Sequence, residues 1–131
     1  MSKDSVFGLL HEDCSGEMLE ASLRLADYVF SNHSDIHHLT FKRLGQIANS
    51  NDPRLVLSLV QYLTGSKVQL LDARFELIVD DRISIIDDED LAEAERTNVL
   101  NDPETGEPVQ DYKSKVFPYF VPGRAVTGGS L

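Results

Sequence analysis

At Gly65 the spacing of apolar residues switches from a helical period to a strand period, and that switch constrains the fold more than any other feature. Before it, Leu55, Val56, Leu59, Val60 and Leu63 recur at three- and four-residue intervals, which gathers them on one side of a helix. After it, Ala73, Phe75, Leu77 and Val79 alternate with Asp72, Arg74, Glu76 and Ile78, the pattern of a half-buried strand. A chain that does both in one short stretch is an α+β fold, with helices and a ribbon segregated along the sequence.

The helices before the switch carry their own punctuation. Leu19, Leu23, Ala26 and Phe30 form a stripe after Ser15, an N-cap candidate, so a first helix is expected from about Gly16 to Ser31. Thr40 can cap a second, shorter helix, Phe41 to Ala48, with Phe41, Leu44, Ile47 and Ala48 inward and Lys42, Arg43 and Gln46 outward. Asp52-Pro53 is the sharpest start signal: aspartate caps, and proline at the first position has φ already set and no N–H to lose. The third helix then runs from Arg54 to Thr64, with Gly65 as its expected C-terminal residue. Residues 1–13 read as a short lead-in whose Val6, Phe7, Leu9 and Leu10 dock on the body.

The ribbon continues through Ile83-Ser84-Ile85 after a turn at Asp80-Asp81. If both isoleucines share the buried face of Phe75, Leu77 and Val79, parity requires a three-residue loop, Asp80-Asp81-Arg82. Asp87 to Asp90 then opens a fourth, acidic helix reaching about Asn98, since carboxylates suit a helix N-terminus. Residues 101–108 form a turn-rich loop. Val116 to Gly123 is extended, because Pro118 and Pro122 disfavour helix at the residues before them. Residues 124–131 read as frayed. The expected division is a domain over 1–100 and an extended arm over 101–131.

Charge is unevenly spread. The 131 residues carry a formal net charge of −10. Residues 87–131 hold ten acidic and four basic side chains, whereas 51–86 hold five and four. Such a field repels polyphosphate and anionic lipid and attracts basic protein surfaces. The single cysteine, Cys14, excludes an internal disulfide. The apolar run Val6–Leu10 is too short for an export signal or a bilayer span. A cytoplasmic protein with no membrane partner is the resulting expectation.

Helix, short helix, turn, third helix and hairpin is the element order of the winged helix-turn-helix superfamily. The segment Leu39 to Leu63 resembles its helix–turn–recognition-helix, and Gln69 to Ile86 resembles its wing. The resemblance covers roughly residues 16–86. It implies a winged-helix-like core of three helices plus a hairpin. It also implies that DNA contacts, if made, would come from Arg54, Ser58 and Gln61 on the third helix, Lys42 and Arg43 on the second, and Lys67, Arg74 and Arg82 around the wing. Departures from the pattern lie where DNA would be read. Leu57 occupies an outward position, Arg54 is the third helix's one basic residue, and Asp80 and Asp81 sit at the wing tip. Phosphate neutralisation supplies most non-specific DNA affinity, so these substitutions suit a protein-binding module, and the fold alone does not imply DNA binding.

No catalytic, cofactor or metal motif emerges. His33, His37 and His38 with Asp35 lack a converging ligand spacing. Cys14 has no local signature of a Cys–His pair. Asp87–Asp90 lacks the calcium-loop glycine and glutamate. The expected function is a non-enzymatic accessory subunit, adaptor or inhibitor without cofactors, its partner a basic protein or a second copy, with a DNA-binding regulator as the alternative. Protein-binding candidates are Leu57 and the aromatic strip Phe117, Tyr119 and Phe120, which either covers the core beside the hairpin or docks a partner.

Overall fold

A computed structural model describes residues 1–128. The fold is α+β, with helices α1 (Lys3–Asp13), α2 (Gly16–Asn32), α3 (Phe41–Ala48) and α4 (Pro53–Thr64), strands β1 (Leu71–Val79) and β2 (Arg82–Ile86), α5 (Asp88–Thr97), β3 (Val116–Pro122) and α6 (Arg124–Thr127). The chain divides into two compact units. One is Met1–Ala73 joined by the chain from Phe120 onward; the other is Arg74–Tyr119. Compactness thus divides the chain inside β1 and β3 and not at residue 100.

The first unit is helical. Its α2 packs against α1, α3 and α4, and its core gathers Leu10, Leu25, Leu44, Leu59 and Leu63, all fully buried. The start signals act as their chemistry requires. The Thr40 hydroxyl accepts from the Arg43 N–H, and the Asp52 carboxylate accepts from the Arg54 N–H with Pro53 behind it. Asn49 ends α3 in the left-handed region at φ 57°, a conformation asparagine tolerates. Two expected caps work differently. Ser15 precedes α2 without a side-chain bond, and Gly65 ends α4 at φ −66°, outside the left-handed region.

Residues 1–13, expected as a short lead-in docked on the body, dock as a helix. They form α1, capped by the Ser2 hydroxyl on the Ser5 N–H, with Val6 and Leu10 fully buried one turn apart. The Asp13 carboxylate accepts from the Tyr62 hydroxyl at 2.6 Å and pairs with Lys67 Nζ at 2.8 Å, tying α1 to α4. Residues 124–127 are likewise not frayed. They form a helical turn with Ala125 buried, and Gly123 before it lies so close to Gln69 that an added Cβ would meet its carbonyl oxygen at 2.2 Å. The remainder of the expected fray, 129–131, lies outside the described residues.

The second unit has a small core of its own: Leu77, Ile86, Ala94, Leu100 and Tyr112, with Leu91, Val79, Val109 and Val116 packed around it. Here α5 is capped by the Asp87 side chain on the Asp90 N–H and ends at Asn98 in the left-handed region. The buried Tyr112 hydroxyl donates to the Ala94 carbonyl at 3.0 Å, which also accepts the Asn98 N–H at 2.7 Å, so the phenol finds a partner inside the core.

The sheet is antiparallel in the order β2-β1-β3. Its hairpin overturns the parity expectation. Val79 pairs with Arg82, leaving a two-residue loop in which Asp80 and Asp81 take φ 48° and 67°, the geometry of a tight turn matched to strand twist. Ile83 then lies opposite Ile78, and Ile85 opposite Glu76. The isoleucines therefore share the face away from Leu77. Turn geometry fixed the register against the apolar pattern.

Hydrogen-bond parity defines both borders of the sheet. A two-residue hairpin closes on a bonded pair, so residues 82, 84 and 86 of β2 bond β1 while Ile83 and Ile85 turn their backbone groups outward. On the other side, the Ile78 N–H donates to the Lys115 carbonyl and the Gly123 N–H to the Leu70 carbonyl. Odd-numbered residues of β3 therefore face β1 and even-numbered ones face outward. Two of the outward positions are Pro118 and Pro122, which have no N–H, and a third, Phe120, exchanges both backbone bonds with Leu39. Proline at outward positions is a recognised way of blunting a sheet edge.

Candidate functional site

The exposed apolar surface is concentrated in the second unit. By the register above, Phe117 lies across from Glu76, so Ile78, Ile83, Ile85 and Phe117 stand on one face of the sheet. They are 36%, 63%, 70% and 45% exposed. β1 and β3 place Ile78 and Phe117, and the tight turn places the other two. Glu76, in their midst, is buried. The opposite face, through Leu77, Ile86 and Val116, belongs to the small core.

The rim is acidic. Residues 74–119 contain thirteen acidic and five basic side chains, so the second unit holds most of the chain's net charge of −10. Asp80 and Asp81 lie at one end of β2 and Asp87 and Asp88 at the other, all exposed. Arg82 could have offset them locally but is engaged elsewhere: it pairs with Asp102 at 2.8 Å and with Glu104. The carboxyl of Asp102, nearly buried, is held below the ordinary range by the Arg82 hydrogen bond and by the Glu104 backbone N–H, and the guanidinium is pushed further from neutrality by the Asp102 and Glu104 carboxylates.

The sequence-derived protein-binding candidates separate. Phe117 is exposed, whereas Tyr119 and Phe120 are buried, Phe120 in the helical unit's core. The aromatic strip is thus a docked strand, and burial removes Tyr119 and Phe120 as docking residues. Leu57 is 50% exposed on the outward side of α4. The alternation already sets Ile78 on the face of Arg74 and Glu76, but the apolar pattern sends Ile83 and Ile85 inward, and with them the surface they form. The signal that could have found them is the Asp-Asp pair, residues that tolerate the left-handed region a two-residue turn requires.

The DNA candidates also divide. Arg54, Ser58 and Gln61 are exposed along α4, and Lys42 and Arg43 along α3, with the Arg43 guanidinium 5.6 Å from the Tyr28 ring centre. Lys67 is committed to Asp13, Arg82 to Asp102 and Glu104, and Arg74 also has a partner.

Burial pushes the Cys14 thiol up, partly offset by a hydrogen bond with Ser22, which disfavours the nucleophilic thiolate. Desolvation and the Asp13 carboxylate push the Tyr62 hydroxyl up, keeping it a hydrogen-bond donor. His33 contacts the Phe30 carbonyl through Nδ1 at 3.1 Å. Among the described residues no group of three or more His, Cys, Asp or Glu is arranged to hold a metal, and no helix is long and apolar enough to cross a membrane. Comparison with protein-family models, curated proteins and solved structures finds no match to this chain.

Proposed function

We propose that this is a non-enzymatic protein-binding module, an accessory subunit, adaptor or inhibitor, that docks its partner on the apolar sheet face of the second unit. One observation carries the reading: Ile78, Ile83, Ile85 and Phe117 lie together on one face and are exposed. Singly scattered apolar side chains are ordinary on a surface; a contiguous set rimmed by charge marks an interaction site. The order α2, α3, α4, then hairpin supports a winged-helix-like scaffold, and that scaffold is compatible with protein binding.

A photo-crosslinking residue at position 117 or 83, introduced in the cells that make the protein, tests this. The expected result is one discrete adduct common to both positions. It should be absent when the probe replaces exposed Glu20 and lost when Ile85→Lys is added. Equal labelling from Glu20, or no adduct from 117 and 83, would overturn the reading.

A second reading, a sequence-specific DNA-binding regulator, rests on the exposure of Arg54, Ser58 and Gln61 along α4 with Lys42 and Arg43 nearby in sequence on α3. Leu57 interrupts that face. A gel shift at low salt with the chain's own upstream DNA decides it. Retardation at about micromolar protein, lost in Arg54→Ala, supports DNA binding. Its absence removes the reading.

A further inference from the structure

We propose that the β2 edge accepts an extended peptide as a fourth strand, and that the peptide is apolar at alternate positions and flanked at both ends by Lys or Arg. This rests on the protein-binding reading and adds the partner's chemistry and geometry.

The argument begins with the backbone. Ile83 and Ile85 direct their N–H and C=O groups away from β1, and no hydrogen bond joins them to another element among the described residues. Each presents one donor and one acceptor with the spacing an added strand uses. Edge strands that natural proteins leave unused are shortened, twisted by bulges or set with proline and inward charge. β3 shows the proline device at Pro118 and Pro122; the outward positions of β2 are two exposed isoleucines.

Side chains set the pattern. Opposite residues of an antiparallel pair share a face, so a strand docked on β2 places every second side chain beside Ile83 and Ile85. Those positions favour apolar residues, continuing the surface of Ile78 and Phe117. The alternate positions lie on the other face, beside Arg82 and Ser84.

Charge selects between a foreign strand and a second copy. The acidic pairs Asp80-Asp81 and Asp87-Asp88 bracket β2. At about 3.4 Å per residue, the span from Asp81 to Asp87 is roughly 20 Å. Two copies paired antiparallel about Ser84 would set Asp81 against the other copy's Asp87, and a parallel pair would set each aspartate against its equivalent. Like charges directly opposed destabilise strand pairs. A strand with basic ends meets carboxylates at both ends instead, and these carboxylates are not neutralised by Arg82, which is held by Asp102 and Glu104.

The test uses the full chain and three nine-residue peptides. The first alternates Val and Thr over its central five positions with two lysines at each end; the second replaces the lysines with glutamates; the third N-methylates the valines. Backbone hydrogen exchange is followed by NMR, along with the isoleucine methyl signals. With the lysine peptide at up to about millimolar concentration, the Ile83 and Ile85 amides should slow at least about tenfold, while Ser84, already bonded to β1, changes little. The glutamate peptide should bind at least about tenfold more weakly. The third peptide, methylated on the valines that lie opposite Ile83 and Ile85 and would bond the edge, should not protect. Ile85→Lys, at a site too exposed to threaten folding, should weaken the lysine peptide and spare the fold.

Unchanged Ile83 and Ile85 amides, or equal binding of the two charged forms, would overturn the proposal. Concentration-dependent protection without peptide would overturn it in favour of a second copy. Methyl shifts without amide protection, together with crosslinks from position 117, would remove strand addition and leave apolar-face docking standing.

Discussion

The two compact units solve the same problem with unequal means. The helical unit buries nineteen apolar residues among those described in one cluster around α2, and its exposed large apolar side chains are Met1 and Leu57. The unit of residues 74–119 buries five in its cluster, carries thirteen acidic against five basic side chains, and exposes Ile78, Ile83, Ile85, Val99 and Phe117. A sheet with one helix-covered face leaves the other to solvent unless something covers it. The difference teaches that apolar content and stability are distributed differently here: the first unit spends its apolar residues on its interior, the second holds a share of them outside.

That contrast can be broken experimentally. The largest effect should come from Leu59→Ala in α4, fully buried, which is expected to cost about 2–5 kcal/mol by urea unfolding. Leu77→Ala should act in the small core instead, with exchange protection lost first in the hairpin and α5 while the α2 and α4 amides keep theirs. Simultaneous loss in both units would remove the distinction. Tyr112→Phe deletes the hydroxyl on the Ala94 carbonyl, which keeps the Asn98 N–H, and should cost about 0.5–1.5 kcal/mol, read as faster exchange at the end of α5.

Acid should act on both units through different carboxylates. The hydrogen bonds of Lys67 and Tyr62 hold Asp13 below its ordinary value, and Arg82 does the same for Asp102. A depressed folded-state value means the stabilisation is present above the ordinary carboxylate range and is lost as pH falls below about 4. Asp13→Asn should flatten that acid limb for α1 and α4 amides, and Asp102→Asn for the hairpin. An unchanged acid limb in both would show the pairs contribute nothing. The smallest stability effect is expected from Ile83→Thr and Ile85→Thr, within about 0.5 kcal/mol because both side chains are exposed. A loss of several kcal/mol at either position would show that the face is interior.

Much of the fold could be read from the residues. Thr40 and Asp52-Pro53 predict the starts of α3 and α4 because capping is a local chemical act that needs no tertiary information. The acidic start of α5 and the extended Val116–Gly123 segment follow from equally local physics. What escaped was tertiary or quantitative. α1 shows only Val6, Leu9 and Leu10 as a stripe, too little for periodicity to speak, and its helix is secured by Tyr62 and Lys67, distant in sequence. The hairpin register failed for a different reason: the apolar-inward rule competed with the turn preference of Asp80-Asp81, and the turn prevailed. That one error hid the candidate surface, since a residue assumed to be inside is never considered for a partner. For Tyr119 and Phe120 the sequence leaves two outcomes open, a cover for the core or a docking strip, and their burial selects the first.

Pro118 and Pro122 carry a consequence for assembly. A ribbon open along both borders can recruit a neighbour on each, and repeated recruitment builds filaments. With the β3 border blunted by imino acids and the Leu39 bridge, a copy can join another through β2 alone, so pairing between copies would stop at two and could not propagate into a filament.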